Sequence, residues 1–258
     1  MPKPKKRPSK AATSVTEHPK NHGSIRAKPE GQPSDVAAIR GEIQAFLRSP
    51  DKRGRRIGSA KCGVYAFYDY DGEPIYIGQT FEGLGSRIGR HLTNHRTDAV
   101  AMNVLDPFEV AEIRVWPIEP FASYTKKQIT AAKDEIRVVL DRAEYTLFVK
   151  VVEESSFKAV LNEKPPIKTE LVTLPIAYTG KIIPAEIFPH RKHPDIRIAR
   201  RASTIAALAR VISERKVAKG LRTTLLTQAK RLEKLADKRF AEFAGTSDED
   251  EGETEGQD

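Results

Sequence analysis

Apolar and polar positions change period repeatedly along the chain. From Ser34, a residue type suited to a helix N-cap, the positions Val36, Ile39, Ile43, Phe46 and Leu47 recur at helical spacing and stop before Pro50. From Cys62 the period becomes two. VYAFYDY and EPIYIGQ flank Asp71-Gly72, a pair suited to positive φ, and predict a hairpin turning there. Tyr68 and Tyr70 then fall on the strand face opposite Tyr65 and are assigned to packing. LGSRIGRHLTNHR returns to helical spacing, with Leu84, Ile88 and Leu92 along one face and Arg87, His91 and His95 on the flank beside it. FEVAEIRVWPI, residues 108–118, reads as a third strand stopped by Pro117 and Pro120.

Thr125 with Gln128 forms a capping-box pattern. The helix it opens is expected to bury Ile129, Ala132, Ile136, Val139, Leu140, Ala143 and Leu147. Glu144 falls on the rim of that stripe, about 80° from its centre, where a carboxylate can be half-buried and still face a groove. Prolines break the segment 165–184 into short strands and loops. From about Arg200 two amphipathic helices return, separated near Gly220. The second is expected to bury Leu225, Ala229, Leu232, Ala236, Phe240 and Phe243, with Lys230, Lys234 and Lys238 laddered along another face. The expected fold class is therefore α+β: a small core of a three-stranded antiparallel sheet flanked by helices, a basic helical C-terminal extension, and disordered termini.

Charge sharpens this picture. Lys and Arg number 44 against 35 Asp and Glu, a balance of +9. The last eleven residues, DEDEGETEGQD, hold seven acids and no base, so the remainder carries 9 + 7 = +16. A body this basic is suited to a polyanion, and nucleic acid is the commonest. Between His190 and Phe240 there are fifteen Arg or Lys against four acids. Residues 1–33, rich in Lys, Pro, Ser and Gly, bury too little apolar surface to order and are expected to be a basic arm. The acidic tail, 246–258, is read as a solubility segment or as a DNA mimic covering the basic helices. Cys62 is the only cysteine, which fits a reducing compartment. No apolar region follows MPKPKKRPSK, and no run approaches the ~20 residues that span a bilayer. A cytoplasmic protein is expected, nucleoid-associated in a bacterium or nuclear in a eukaryote.

The chemistry gathers in the hairpin and the helix after it. Tyr65 and Tyr76 stand eleven residues apart across the turn, so the two arms bring the phenols together. Gly63 and Gly78 remove side chains beside them. Arg87 and His91 follow on consecutive helical turns, and Glu144 and Asn162 come later. This order resembles the GIY-YIG nuclease family: GVY at 63–65 stands for the first signature, YIG at 76–78 for the second, and Arg87-Ile-Gly-Arg-His91 for the helix motif. Val64 replaces the family's middle isoleucine. The resemblance covers roughly residues 60–165, about two-fifths of the chain. It makes 59–165 a catalytic domain, preceded by a helix and linker at 34–58 and followed by the basic extension at 166–245.

The resemblance implies a metal-dependent DNA endonuclease with a single divalent cation, Mg²⁺ or Mn²⁺, on Glu144, and Asn162 in support. Arg87 would fork onto the scissile phosphate. Tyr65 would orient or deprotonate the attacking water, and Tyr76 and His91 would bond the phosphate or relay a proton. A phenol of pKa ~10 is a poor base at neutral pH unless Arg87 and the metal lower it. Arg200, Arg201, Lys230, Lys234 and Lys238 are the expected nucleic-acid contacts. His190 and His193 have a spacing that can chelate a metal but sit in a basic run, and are read as phosphate or solvent contacts. A DNA-binding protein keeping the fold without cleavage and an RNA-directed protein stay open. Within the nuclease reading, restriction or genome defence is preferred over mobile-element or repair roles, because no zinc-finger or helix-hairpin-helix signature is present. The oligomeric state does not follow from the sequence.

Overall fold

A computed structural model describes residues 34–92, 104–162, 164–214, 216–217 and 219–244. The basic arm, His95 and the acidic tail lie outside these residues. In chain order the elements are α1 (Ser34–Arg48), β1 (Gly63–Tyr68), β2 (Pro74–Thr80), α2 (Leu84–Leu92), β3 (Glu112–Pro117), α3 (Lys126–Ala131), α4 (Lys133–Glu154), β4 (Tyr178–Lys181), α5 (Phe188–Lys192), α6 (Pro194–Glu214) and α7 (Lys219–Ala244). No helix among the described residues is long and apolar enough to cross a membrane.

The class is α+β, with an antiparallel sheet in the order β2-β1-β3-β4. The three strands expected from the sequence form its core. The fourth, β4, comes from the proline-broken segment and pairs with β3 at the edge, Val115 opposite Tyr178. Short strands and loops were expected there, but four residues, Tyr-Thr-Gly-Lys, carry too little alternation to fix which of them pairs. Strand β1 is buried at every position because helices cover both faces of the sheet. On one face Tyr65, Phe67, Ile113 and Val115 pack with α1, α2, α6 and α7. On the other, Val64, Ala66, Tyr68, Ile77 and Trp116 pack with Ile136, Leu140, Ala143, Leu147 and Val151 of α4.

The hairpin turns earlier than its Asp-Gly pair suggested. Asp69 begins the turn: its Oδ1 accepts the backbone N–H groups of Asp71 at 2.9 Å and Glu73 at 3.0 Å. Gly72 alone takes a left-handed φ, +74°. The strand therefore ends at Tyr68, and alternation ceases to govern Tyr70. Tyr68 packs opposite Tyr65 as expected, but Tyr70 turns to the Tyr65 side and donates its hydroxyl to the Phe108 carbonyl at 3.0 Å.

The second correction concerns α7. Its buried face is Leu221, Thr224, Thr227, Gln228, Arg231 and Leu235, whereas Phe240 is 75% and Phe243 57% exposed. The apolar stripe gave the wrong rotation because acids set the phase. Asp69 Oδ2 accepts from Arg197 at 3.2 Å, Arg201 at 3.0 Å and Arg231 at 2.6 Å. Glu109 bridges Arg197 and Arg201 as well. A buried carboxylate must be matched by cations, so α6 and α7 turn arginines inward and leave phenylalanines outside.

Candidate active site

The hairpin register sets the site. Tyr65 lies directly opposite Gly78, and Phe67 opposite Tyr76. A Cβ on Gly78 would stand 2.6 Å from Tyr65 Cζ, so the phenol crosses its neighbouring strand only because that residue has no side chain. The ring then points at α2, where Arg87 and His91 sit one turn apart. Tyr65 Oη lies 2.8 Å from His91 Nε2, and Arg87 Nε donates to the same oxygen at 3.3 Å. The Tyr76 ring is 6.3 Å from that of Tyr65 and 5.1 Å from the His91 imidazole. Two phenols, a guanidinium and an imidazole thus converge.

Tyr65 is fully buried and His91 nearly so, while Tyr76, Arg87 and Glu144 are half-buried. Burial pushes the Tyr65 hydroxyl far above the ordinary phenol value; the neighbouring phenol of Tyr76 adds to this, and Arg87 only partly opposes it. Arg87 and a metal together were expected to lower this pKa. The guanidinium does act in that direction, but desolvation outweighs it.

Glu144 projects from α4, on the opposite face of the sheet from α2, and is bonded to Gln79 of the edge strand β2. Its Oε2 accepts from Gln79 Nε2 at 3.0 Å, and the same nitrogen donates to Asp141 Oδ1 at 2.7 Å. Burial raises the Glu144 pKa, Asp141 adds to the rise, and Arg87 opposes it. Glu144 also bears on Tyr65 electrostatically. The carboxylate therefore shares one field with the Tyr65–Arg87 pair. It makes no ion pair among the described residues, and a half-buried carboxylate lacking a cation suits a hard divalent metal. No group of three or more acidic, His or Cys side chains surrounds it among those residues, so water would complete the coordination.

Asn162 acts on the backbone. Its Oδ1 accepts from Ile77 N at 3.1 Å and its Nδ2 donates to Ile77 O at 2.9 Å, as a further strand would. With Leu161 N bonded to Ile75 O at 2.7 Å, it clips the outer edge of β2 between Tyr76 and Gly78.

The expected nucleic-acid residues divide. Lys230, Lys234 and Lys238 are exposed on α7, and Lys234 Nζ stands 5.1 Å from the Phe157 ring in the loop leading to Asn162. Arg201 is only 5% exposed, held by Asp69 and Glu109. Arg200 forks onto Asp106 at 2.9 and 2.8 Å. Both arginines are paired with acids of the fold, Arg201 in the interior and Arg200 part-exposed. His190 and His193 are exposed on and just after α5. Gln79 and Asp141 had been passed over. Strand alternation places Gln79 on the α4 side with Ile77, and Asp141 is three residues before Glu144 on the same rim; both signals were present.

Two phenols, an arginine and a histidine thus gather on one face of a mixed helix–sheet core, with a half-buried acid in electrostatic reach. The family model for the GIY-YIG catalytic domain matches residues 61–133, the stretch holding Tyr65, Tyr76, Arg87 and His91 but ending before Glu144 and Asn162. This match supports a GIY-YIG catalytic domain within the chain, and proteins of that family are generally endonucleases that typically use a divalent metal. Comparison with curated proteins and with solved structures gave no match.

Proposed function

We propose that the protein is a divalent-metal-dependent endonuclease that hydrolyses phosphodiester bonds in duplex DNA. The observation that carries this reading is the Tyr65 hydroxyl, bonded at once to His91 Nε2 and Arg87 Nε, in the electrostatic reach of Glu144.

The chemistry follows from these contacts. In the metal-free protein, burial favours the neutral form of the Tyr65 phenol. With Arg87 donating to its oxygen, the phenolic proton is directed to His91 Nε2. Tyr65 then accepts a proton from the attacking water as it passes its own to His91, and no charged phenol builds up. The terminal nitrogens of Arg87 make no hydrogen bond or ion pair among the described residues and suit the scissile phosphate. Glu144 would hold Mg²⁺ or Mn²⁺, which supplies charge neutralisation at the phosphate when bound. Tyr76 faces the same hollow and bonds the phosphate. Asn162 keeps β2 in place. Lys230, Lys234 and Lys238 contact the DNA backbone. Restriction or genome defence remains the preferred biological setting.

Nicking of supercoiled plasmid with Mg²⁺ tests the reading. Wild-type protein is expected to nick, and Glu144→Ala to slow nicking by about 100-fold or more. Equal cutting by the two would end this assignment.

A further inference from the structure

The Gln79 carboxamide has two N–H donors, and both are taken up. Nε2 donates to Asp141 Oδ1 at 2.7 Å and to Glu144 Oε2 at 3.0 Å. A flipped amide would set its carbonyl oxygen against two carboxylates, so the orientation is fixed by charge. Gln79 is also rigidly placed. It is the residue after Gly78, paired with Val64 in the hairpin ladder, and next along the strand from the position Tyr65 crosses. Asp141 and Glu144 lie nearly one turn apart on α4, and neither has an ion pair among the described residues.

We infer that Gln79 is a positioning residue for the proposed reaction: it ties one oxygen of Glu144 to the strand that carries Tyr76, leaves the other oxygen for the cation, and uses Asp141 as its anchor. The inference rests on the metal role proposed for Glu144. An acid held at one oxygen keeps its other oxygen in a fixed place for the cation. A free glutamate would lose rotamer entropy each time a cation bound. The link also makes hairpin and helix one unit, since a shift of β2 carries Glu144 with it.

The test measures metal binding by full-length protein without DNA, following Mn²⁺ by electron paramagnetic resonance, with melting temperature in parallel. Gln79→Met keeps the side-chain length without the donors and is expected to weaken Mn²⁺ binding about tenfold or more. Excess Mn²⁺ then restores much of its plasmid nicking, which it does not do for Glu144→Ala. Gln79→Asn stays polar but falls one methylene short, and its loss is expected to be intermediate; it decides the matter if the methionine variant melts early. Wild-type Mn²⁺ affinity in folded Gln79→Met or Gln79→Asn overturns the inference and leaves the role of Glu144 standing. Wild-type affinity in Glu144→Ala overturns both.

Discussion

At the scale of single residues, the site depends on one missing side chain. Gly78→Ala puts a methyl into the Tyr65 ring and pushes the hydroxyl away from His91 and Arg87. Cleavage is expected to fall on the order of 100-fold in the plasmid assay while far-ultraviolet circular dichroism stays unchanged. Glu144 shows the opposite tension. Burial favours its neutral form, so in the metal-free protein its charge opposes folding. Because the folded-state pKa is raised, this penalty is absent below the ordinary carboxylate range, grows as pH rises through the window up to the raised value, and is complete above it. Glu144→Gln is therefore expected to raise the melting temperature of metal-free protein at pH 7, by about 2–4 °C for each kcal/mol released, with no gain near pH 3. Calorimetry at the two pH values checks the sign. The tyrosines, Arg87, His91 and Glu144 were all legible in the sequence, because hairpin register and helical spacing fix where they point. Gln79 was overlooked because alternation places it on the α4 side without saying which groups of that helix it meets.

At the scale of elements, the hairpin, α2 and α4 followed from periodicity, and α7 did not. Hydrophobic spacing is a guide to helix rotation only while burial is apolar. Here Asp69 draws in Arg197, Arg201 and Arg231, three residues that the sequence presents as part of a basic surface. No local pattern announces that an acid more than a hundred positions away will claim them. Short strands were expected between the prolines of 165–184, but the bounds of β4 were not legible for a simpler reason: four residues at a sheet edge carry hardly any alternation. Removing the shared acid should be severe. Asp69→Ala leaves three buried guanidinium groups without their common partner, a loss of roughly 3–5 kcal/mol for a broken buried pair. The expected drop in melting temperature is on the order of 10 °C, read by calorimetry. A loss of only a degree or two would mean that Glu109 and Asp71 suffice to hold the arginines.

At the scale of the whole molecule, formal charge overstates the surface available to DNA. Of the fifteen bases between His190 and Phe240, Arg191, Arg197, Arg200, Arg201, Arg231 and Arg239 are paired with acids of the fold. Lys230, Lys234 and Lys238 remain exposed along one side of α7. If each meets one phosphate, replacing all three by alanine should lower the slope of log affinity against log salt by about 2–3. Fluorescence anisotropy across a salt series measures it, and an unchanged slope would place the DNA on another face.

The cluster at Asp69 has a further consequence for how such an enzyme would measure distance. The acid stands at the tip of the hairpin that carries both phenols, and Arg231 is on the helix that presents the three lysines. Grip and blade are therefore riveted together instead of being joined by a tether. If α7 rests on duplex DNA as proposed, breaks made by this molecule would fall at a constant offset from that point, like marks made by a caliper locked at one opening.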